Sequence, residues 1–107
     1  LKMTNAVLGP EYDCSLVIVS PKKSRELNRI YREKDSSTNI LSFPLSEDEG
    51  EIFLDLKKAR TECKLFDRSY TNFVAFLFIH GLFHLKGLDH GAKMENAEKK
   101  IHTLFKI

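Results

Sequence analysis

The chain of 107 residues has few cysteines, little net charge and no long hydrophobic run. Its two cysteines, Cys14 and Cys63, have no paired spacing, which favours reduced thiols in a cytosolic protein over a disulfide. The net charge of +2 is too small to indicate nucleic-acid binding by itself. The most apolar run, residues 73–85, is too short to cross a membrane and contains two histidines. We therefore expect one small globular domain over residues 1–107.

The pattern of apolar and polar residues along the chain predicts a short sheet and several helices. The apolar run at residues 14–20 predicts a strand buried on both faces, and residues 38–43 and 50–55 predict two more strands. Helical patterns cover residues 21–34, 56–66, 70–85 and 92–106. The third of these helices is apolar almost all round, which indicates burial on most sides. The order of elements predicts an α+β (mixed α/β) fold, with a sheet of three or four strands packed on that helix.

The first predicted helix carries a row of basic residues. Ser20 is its expected N-cap, and its expected inner face contains Leu27, Ile30 and Tyr31. The basic row lies on roughly the opposite side and consists of Lys22, Arg25, Arg29 and Arg32. A solvated helix face explains the first three as well as a binding surface does. Arg32 differs because it ends the helix, beside the next element.

Three of the four histidines fall within eleven residues, and this cluster is the main chemical signal of the chain. His80 and His84 are four residues apart, which places both imidazoles on one face of a helix. Gly87 then provides a turn that can bring His90 back toward them. Three imidazoles are a common ligand set for zinc, and they leave the fourth position open. The last histidine, His102, we interpret as a surface or rim residue.

Two segments, taken together, resemble signatures of the YbeY endoribonucleases, which are rRNA maturation factors. Residues 27–44 read LNRIYREKDSSTNILSFP, and residues 80–90 read HGLFHLKGLDH. The resemblance covers residues from about 14 to the end of the chain. It implies a bacterial, cytoplasmic, zinc-dependent endoribonuclease that cuts single-stranded RNA and acts in small-subunit rRNA maturation and ribosome quality control. The implied partners are rRNA and the small ribosomal subunit, with a ribosomal protein or assembly GTPase as recruiting factor, and neither membrane nor DNA.

The resemblance also implies roles for individual residues. One zinc ion per chain would be held by His80, His84 and His90. Arg32 matches the functionally important arginine of the family, and a guanidinium can stabilise the charge that develops on a phosphorane. The nucleophile stays open between a zinc-bound water and the 2′-hydroxyl of the RNA.

Four polar residues are candidates for supporting roles. Thr38, Asn39 and Ser42 are positioned to contact the sugar-phosphate backbone, although hydrogen bonding at a strand end explains them equally well. Asp89, next to the third histidine, can orient a ligand imidazole or act as a turn residue.

Two other functions fit parts of the pattern. The histidine spacing also matches metzincin proteases, but those enzymes need a Glu directly after the first histidine, and the chain has Gly81 there. This difference argues against peptide hydrolysis, although a metallohydrolase of another substrate class stays an alternative. A non-catalytic, zinc-stabilised ribosome-binding module would require a fourth protein ligand, for which Cys14 and Cys63 are the candidates.

Overall fold

A computed structural model describes residues 2–32, 39–88 and 91–107, without the side chain of Arg32. Within these ranges the elements are, in chain order, α1 (Lys2–Leu8), β1 (Asp13–Ile18), α2 (Pro21–Arg32), β2 (Ile40–Pro44), β3 (Glu49–Leu54), α3 (Leu56–Glu62), a 3₁₀ turn (Cys63–Phe66), α4 (Tyr70–Leu85) and α5 (Ala92–Phe105). The predicted α+β class is confirmed. None of the helices in the described ranges has the length and apolar character needed to cross a membrane.

The sheet has three strands in the described part of the chain, and β3 lies in its centre. β1 pairs with β3 in parallel, and β2 pairs with the other edge of β3 in antiparallel orientation. Residues 50, 52 and 54 of β3 are buried, as the two-residue period of a strand requires for the face that meets the core. The central strand therefore presents Ile52 and Leu54 to the helical layer.

Helix α4 packs on this face and joins both parts of the core. Ile79 and Leu82 lie in one apolar cluster with Ile52 of β3. Phe73 and Leu77 lie in a second cluster with Leu54. The predicted burial of α4 on most sides is confirmed, and it makes the helix a rigid support for the side chains on its remaining face.

Both ends of α4 are fixed by local sequence signals. The Ser69 side chain accepts a hydrogen bond from the backbone N–H of Asn72 at 3.2 Å, as an N-cap does. At the other end, Gly87 has φ of +96°, which suits a residue without a Cβ. The N–H of Gly87 donates to the carbonyl of His84, and the N–H of Leu88 donates to that of Phe83. This is a Schellman ending, so the predicted turn after the second histidine is confirmed.

Two predicted burial patterns are wrong. β1 is an edge strand rather than one buried on both faces, and Leu16 and Ile18 are 49% and 53% exposed. Helix α2 begins where predicted, with the Ser20 hydroxyl accepting from the N–H of Lys23, but its Ile30 and Tyr31 are exposed. Its buried positions include Ser24, Leu27 and Asn28. Apolar composition alone does not determine which faces of β1 and α2 are covered by other elements of the fold.

Candidate functional site

His80 and His84 point toward one another on the open side of α4. Their Nε2 atoms are 3.0 Å apart, and their rings meet nearly edge to face at an interplanar angle of 87°. Two nitrogen ligands at about 2.0–2.1 Å from a tetrahedral zinc ion are separated by about 3.3 Å. The observed separation is within a few tenths of an ångström of that value, so the predicted pair has the spacing of two ligands of one ion.

The other ring nitrogen of His80 has a carboxylate partner on a different helix. His80 Nδ1 donates to Glu98 Oε2 of α5 at 3.1 Å, and the two side chains are 22% and 10% exposed. This bond holds the proton on Nδ1 and leaves the lone pair of Nε2 directed at His84. Carboxylates hydrogen-bonded to metal-ligating histidines commonly orient the ring in this way.

Glu98 was missed in the sequence, although a signal was present. It lies four residues after Met94 and three before Ile101, both of which pack in the core cluster. A carboxylate on the inward stripe of an amphipathic helix needs a partner, because an isolated buried charge is strongly unfavourable. Glu98 is 7% exposed, and His80 is the partner that the fold brings to it.

The remaining predicted site residues divide into two groups. Thr38, Asp89 and His90 lie outside the described residues, as does the side chain of Arg32, whose backbone ends α2. Asn39 donates through Nδ2 to Glu62 Oε1 at 2.9 Å. Ser42 donates through Oγ to the carbonyl of Gly81 at 3.1 Å. Both of these bonds are structural, and contact of these residues with RNA stays a prediction.

A cavity of about 610 Å³ opens beside the two histidines. It lies between β2 and α4, and its lining consists of Asn39, Ile40, Leu41, Ser42, Phe43, Phe66, Phe76, Leu77, His80 and His84. The lining combines three phenylalanine rings with a few polar groups, which is the usual composition of a ligand pocket. The predicted metal ligands His80 and His84 and the predicted substrate residues Asn39 and Ser42 therefore share one cavity.

Gly81 lies against the sheet, and this contact explains why it is a glycine. A Cβ atom built there would be 2.8 Å from Ile40 Cδ1, 3.0 Å from Ser42 Oγ and 3.2 Å from Ile52 Cδ1. A side chain at position 81 would therefore have to displace Ile40, Ser42 or Ile52. A glutamate would not fit here without a shift of these side chains, which is a second argument against the protease interpretation.

The cysteines lie apart from the histidine pair. Cys63 is buried in the cluster with Leu54 and Phe73, where its Sγ donates to the carbonyl of Arg60 at 3.3 Å. Cys14 packs at the edge of the other cluster, and both thiols are free. Burial, together with the charge of Asp13, raises the pKa of Cys14 and disfavours its thiolate. Neither cysteine lines the cavity of the histidines.

His102 occupies a more specific position than a surface or rim residue. Its ring packs on Phe76 at a centroid distance of 5.4 Å, and it lines a second cavity of about 440 Å³ with His80 and Glu98. Burial lowers the pKa of His102, and the nearby Arg68 lowers it further, whereas Glu98 acts in the opposite direction.

The residues present fit a zinc ion as far as they are described. Within residues 2–32, 39–88 and 91–107, no group of three or more His, Cys, Asp or Glu side chains is arranged to hold a metal. The described pair supplies two imidazoles with suitable spacing, and His90, the third predicted ligand, follows the turn at Gly87 in the sequence. Neutral imidazoles suit zinc, nickel and copper, so the donor set fits zinc without selecting it alone.

Three residues of the basic row of α2, Lys22, Arg25 and Arg29, are exposed, as expected of a solvated or a binding face. Lys22, Arg25 and Arg29 line a shallow surface depression together with Glu26. Glu26 forms an ion pair with Lys23 at 3.5 Å, which partly offsets the local positive charge. Lys22, Arg25 and Arg29 thus form an exposed basic patch beside one carboxylate.

Comparison with known proteins gives a consistent family assignment. The family model for endoribonuclease YbeY matches residues 1–106. The endoribonuclease YbeY of Alkaliphilus metalliredigens is 37% identical over 102 residues, covering 85% of this chain and 66% of the relative. That of Carboxydothermus hydrogenoformans is 41% identical over 81 residues, covering 71% of this chain and 57% of the relative. The chain thus spans less than two thirds of the length of these two relatives.

A solved structure supports the fold. The solution structure of TM1509 from Thermotoga maritima matches with a TM-score of 0.66 at 23% identity, over 98% of this chain and 80% of that chain. At this identity the likeness concerns the fold alone. The match of the family model over nearly the whole chain is what decides the assignment. This chain belongs to the YbeY endoribonuclease family.

Proposed function

We propose that the protein is a metal-dependent endoribonuclease that cleaves single-stranded RNA in the maturation of small-subunit rRNA. The observation that carries the proposal is the convergence of the His80 and His84 Nε2 atoms, 3.0 Å apart, at the wall of a cavity. The family assignment supports RNA as the substrate. A metal near these atoms would lie where a phosphodiester in the cavity can approach it.

His80, His84 and His90 would hold one zinc ion, and Glu98 would orient the first of them through its Nδ1. When bound, zinc would polarise a phosphodiester oxygen and stabilise the negative charge that develops there. The backbone end of α4 also favours a cation, because the negative end of the helix dipole lies near His84.

The protein supplies the remaining electrostatic stabilisation through Arg32. Its guanidinium stays charged at all relevant pH values and can donate to two phosphate oxygens at once. Asn39 and Ser42 line the cavity on the side of β2, where they could contact a single-stranded RNA that enters along β2. Their bonds to Glu62 and to the Gly81 carbonyl hold them in fixed orientations, which limits the entropy lost when RNA binds.

The biological setting proposed here is the cytoplasm, on the small ribosomal subunit, with a role in rRNA processing and ribosome quality control. The exposed basic residues of α2 would attract the RNA backbone by charge. A ribosomal protein or an assembly GTPase would then select the site on the ribosome. Because the electrostatic part of RNA binding depends on counterion release, it should weaken as salt concentration rises.

Two substitutions test the metal and the arginine separately. His84→Ala should lose bound zinc and reduce cleavage of a single-stranded RNA to the level of chelator-treated wild type. Arg32→Ala should keep its zinc and lose about 100-fold or more in cleavage rate, the scale of removing one donor to a developing charge. Metal content of the purified proteins and gel-based cleavage of single-stranded RNA, duplex RNA and single-stranded DNA are the measurements.

Arg29→Ala is the matched control, because it removes the same charge from an exposed position one turn earlier on α2. It should keep both zinc and most of the activity, and change mainly the salt dependence. A folded Arg32→Ala protein that cleaves RNA at the wild-type rate would contradict the role of Arg32. Unchanged cleavage by His84→Ala, or by wild type in chelator, would contradict the metal-dependent function.

A further inference from the structure

Three phenylalanine rings form a cluster that reaches from the core to the surface. Phe73 is fully buried, and the ring of Phe66 stacks on it at a centroid distance of 5.0 Å and an interplanar angle of 26°. Phe76 lies 5.9 Å from Phe73 at an interplanar angle of 16° and 6.2 Å from Phe66, so the three rings contact one another. Phe66 is the outer member of this group and is 52% exposed.

The local backbone holds Phe66 in this position. It is the last residue of the 3₁₀ turn, and Asp67 follows in the left-handed conformation with φ of 52°. The N–H of Asp67 donates to the carbonyl of Lys64, and that of Arg68 donates to the carbonyl of Cys63, so the turn is closed by its own backbone. The exposed ring is therefore held by a defined turn and by its contacts with the rings of Phe73 and Phe76.

Phe66 also lines the cavity that contains His80 and His84. Its neighbour Leu65 is more exposed, at 80%, but does not belong to the cavity lining. An aromatic ring that is buried on one side and open to a cavity on the other can accept a second flat ring by stacking. Proteins use such rings to bind unpaired bases, because every nucleobase has a face that can stack.

We propose that Phe66 is the stacking platform for an unpaired nucleobase of the RNA, next to the phosphate that the histidine site receives. This inference rests on the proposed function and adds to it the part of the substrate that the apolar wall of the cavity recognises. Bases within a duplex already stack on both sides and cannot present a free face to Phe66. The platform thus gives a physical reason for cleavage of single strands.

Fluorescence of a base analogue tests the platform directly. A short single-stranded 2′-O-methyl RNA with one 2-aminopurine should lose fluorescence when it binds the wild-type protein, because stacking quenches that base. Phe66→Leu keeps an apolar side chain but removes the ring. It should abolish the quenching and weaken binding about 5- to 150-fold, the range that corresponds to the usual strength of base–aromatic stacking. Phe66→Tyr should restore both.

Leu65→Ala is the matched control and should bind and quench like wild type. A second RNA, abasic at the probed position, separates stacking from general damage to the protein. Phe66→Leu should weaken binding of the complete RNA much more than binding of the abasic RNA. Equal weakening of both would overturn the platform and would point to a structural role or to a different occupant, such as an apolar side chain of a protein partner.

Cleavage of unmodified RNA, measured in parallel, distinguishes this inference from the function on which it rests. If the Phe66→Leu variant cleaves RNA at the wild-type rate and quenches the probe as strongly as wild type, the platform is overturned and the nuclease function is left intact. A wild-type protein that neither binds nor cleaves single-stranded RNA would overturn both.

Discussion

His80 and Gly81 are neighbours on α4, yet the two residues face opposite environments. The His80 ring lies between two cavities, with one nitrogen on Glu98 and the other facing His84. Gly81 lies against β2 and β3, where there is no room for a Cβ without displacing Ile40 or Ser42. One position is defined by the partners of its side chain, and the other by the absence of a side chain.

The two requirements depend on each other. The close approach at Gly81 brings α4 onto the sheet, and Ser42 fixes that approach by donating to the Gly81 carbonyl at 3.1 Å. Because successive residues of a helix are about 100° apart, the same approach directs His80 away from the Gly81 contact, toward α5 and the cavity beside β2. The packing of Gly81 on the sheet therefore determines the direction in which the neighbouring His80 side chain points.

The largest effect is expected when Gly81 is replaced by glutamate, the residue that metzincins have directly after the first histidine. Gly81→Glu should destabilise the fold by on the order of 3–5 kcal/mol, because it overpacks the interface with the sheet and buries an unpaired charge. Thermal and urea unfolding of the purified protein would measure the loss. No peptidase activity should appear.

Thr71→Glu is the control for adding the same charge to α4 at an exposed position near its N-terminus. It should change stability by less than about 1 kcal/mol, and in the favourable direction if the helix dipole dominates. A stable Gly81→Glu protein would mean that α4 can move off the sheet. The inference that the Gly81 contact orients His80 would then be contradicted.

An intermediate effect is expected at Glu98, on the other side of the comparison. Glu98→Ala should lower zinc affinity by about 10- to 100-fold, the usual consequence of removing a carboxylate that orients a ligand histidine. Glu98→Gln keeps an oxygen acceptor for His80 Nδ1 and should lose less. Competition with a chromophoric chelator measures zinc affinity directly, apart from any effect on cleavage.

Glu95→Ala provides the matched control, since Glu95 is exposed on the same helix and lines the same second cavity. It should leave zinc affinity within about twofold of wild type, as expected for an exposed position without such a role. Equal zinc affinities of wild type and Glu98→Ala would show that His80 needs no carboxylate to hold its tautomer, and would remove Glu98 from the proposed site.

The sequence predicted well what local signals determine. The Ser20 cap of α2, the all-round apolar pattern of α4 and the glycine after it were each encoded within a few residues, and each is confirmed. The spacing of His80 and His84 follows from the helix itself. These features depend on the backbone within one or two turns, so distant contacts do not change them.

Features that depend on distant contacts were missed or predicted wrongly. β1 is apolar enough for a central strand, but strand order places it at an edge, and no local pattern encodes strand order. Tyr31 was expected in the core, yet it is exposed and contacts Phe43 across a ring distance of 5.1 Å. The bond between His80 and Glu98 joins residues 18 apart on different helices. Only the placement of Glu98 on an apolar stripe hinted at it.

The smallest expected effect concerns His102, which shares the second cavity with His80 and packs on Phe76. Its pKa is lowered in the fold, chiefly by burial, so the unfolded chain takes up a proton more readily than the folded one. Stability should therefore fall as the pH drops below about 6.5, the ordinary histidine value, and on through the lower pKa of His102 in the folded protein. His102→Gln should reduce this acid sensitivity by no more than about 0.5 kcal/mol, the scale of a partly exposed position. Urea unfolding of both proteins at pH 5 and pH 7.5, with chelator present, gives the difference. An identical loss of stability in both would assign the acid sensitivity to groups other than His102, and would leave the contact with Phe76 as the role of His102.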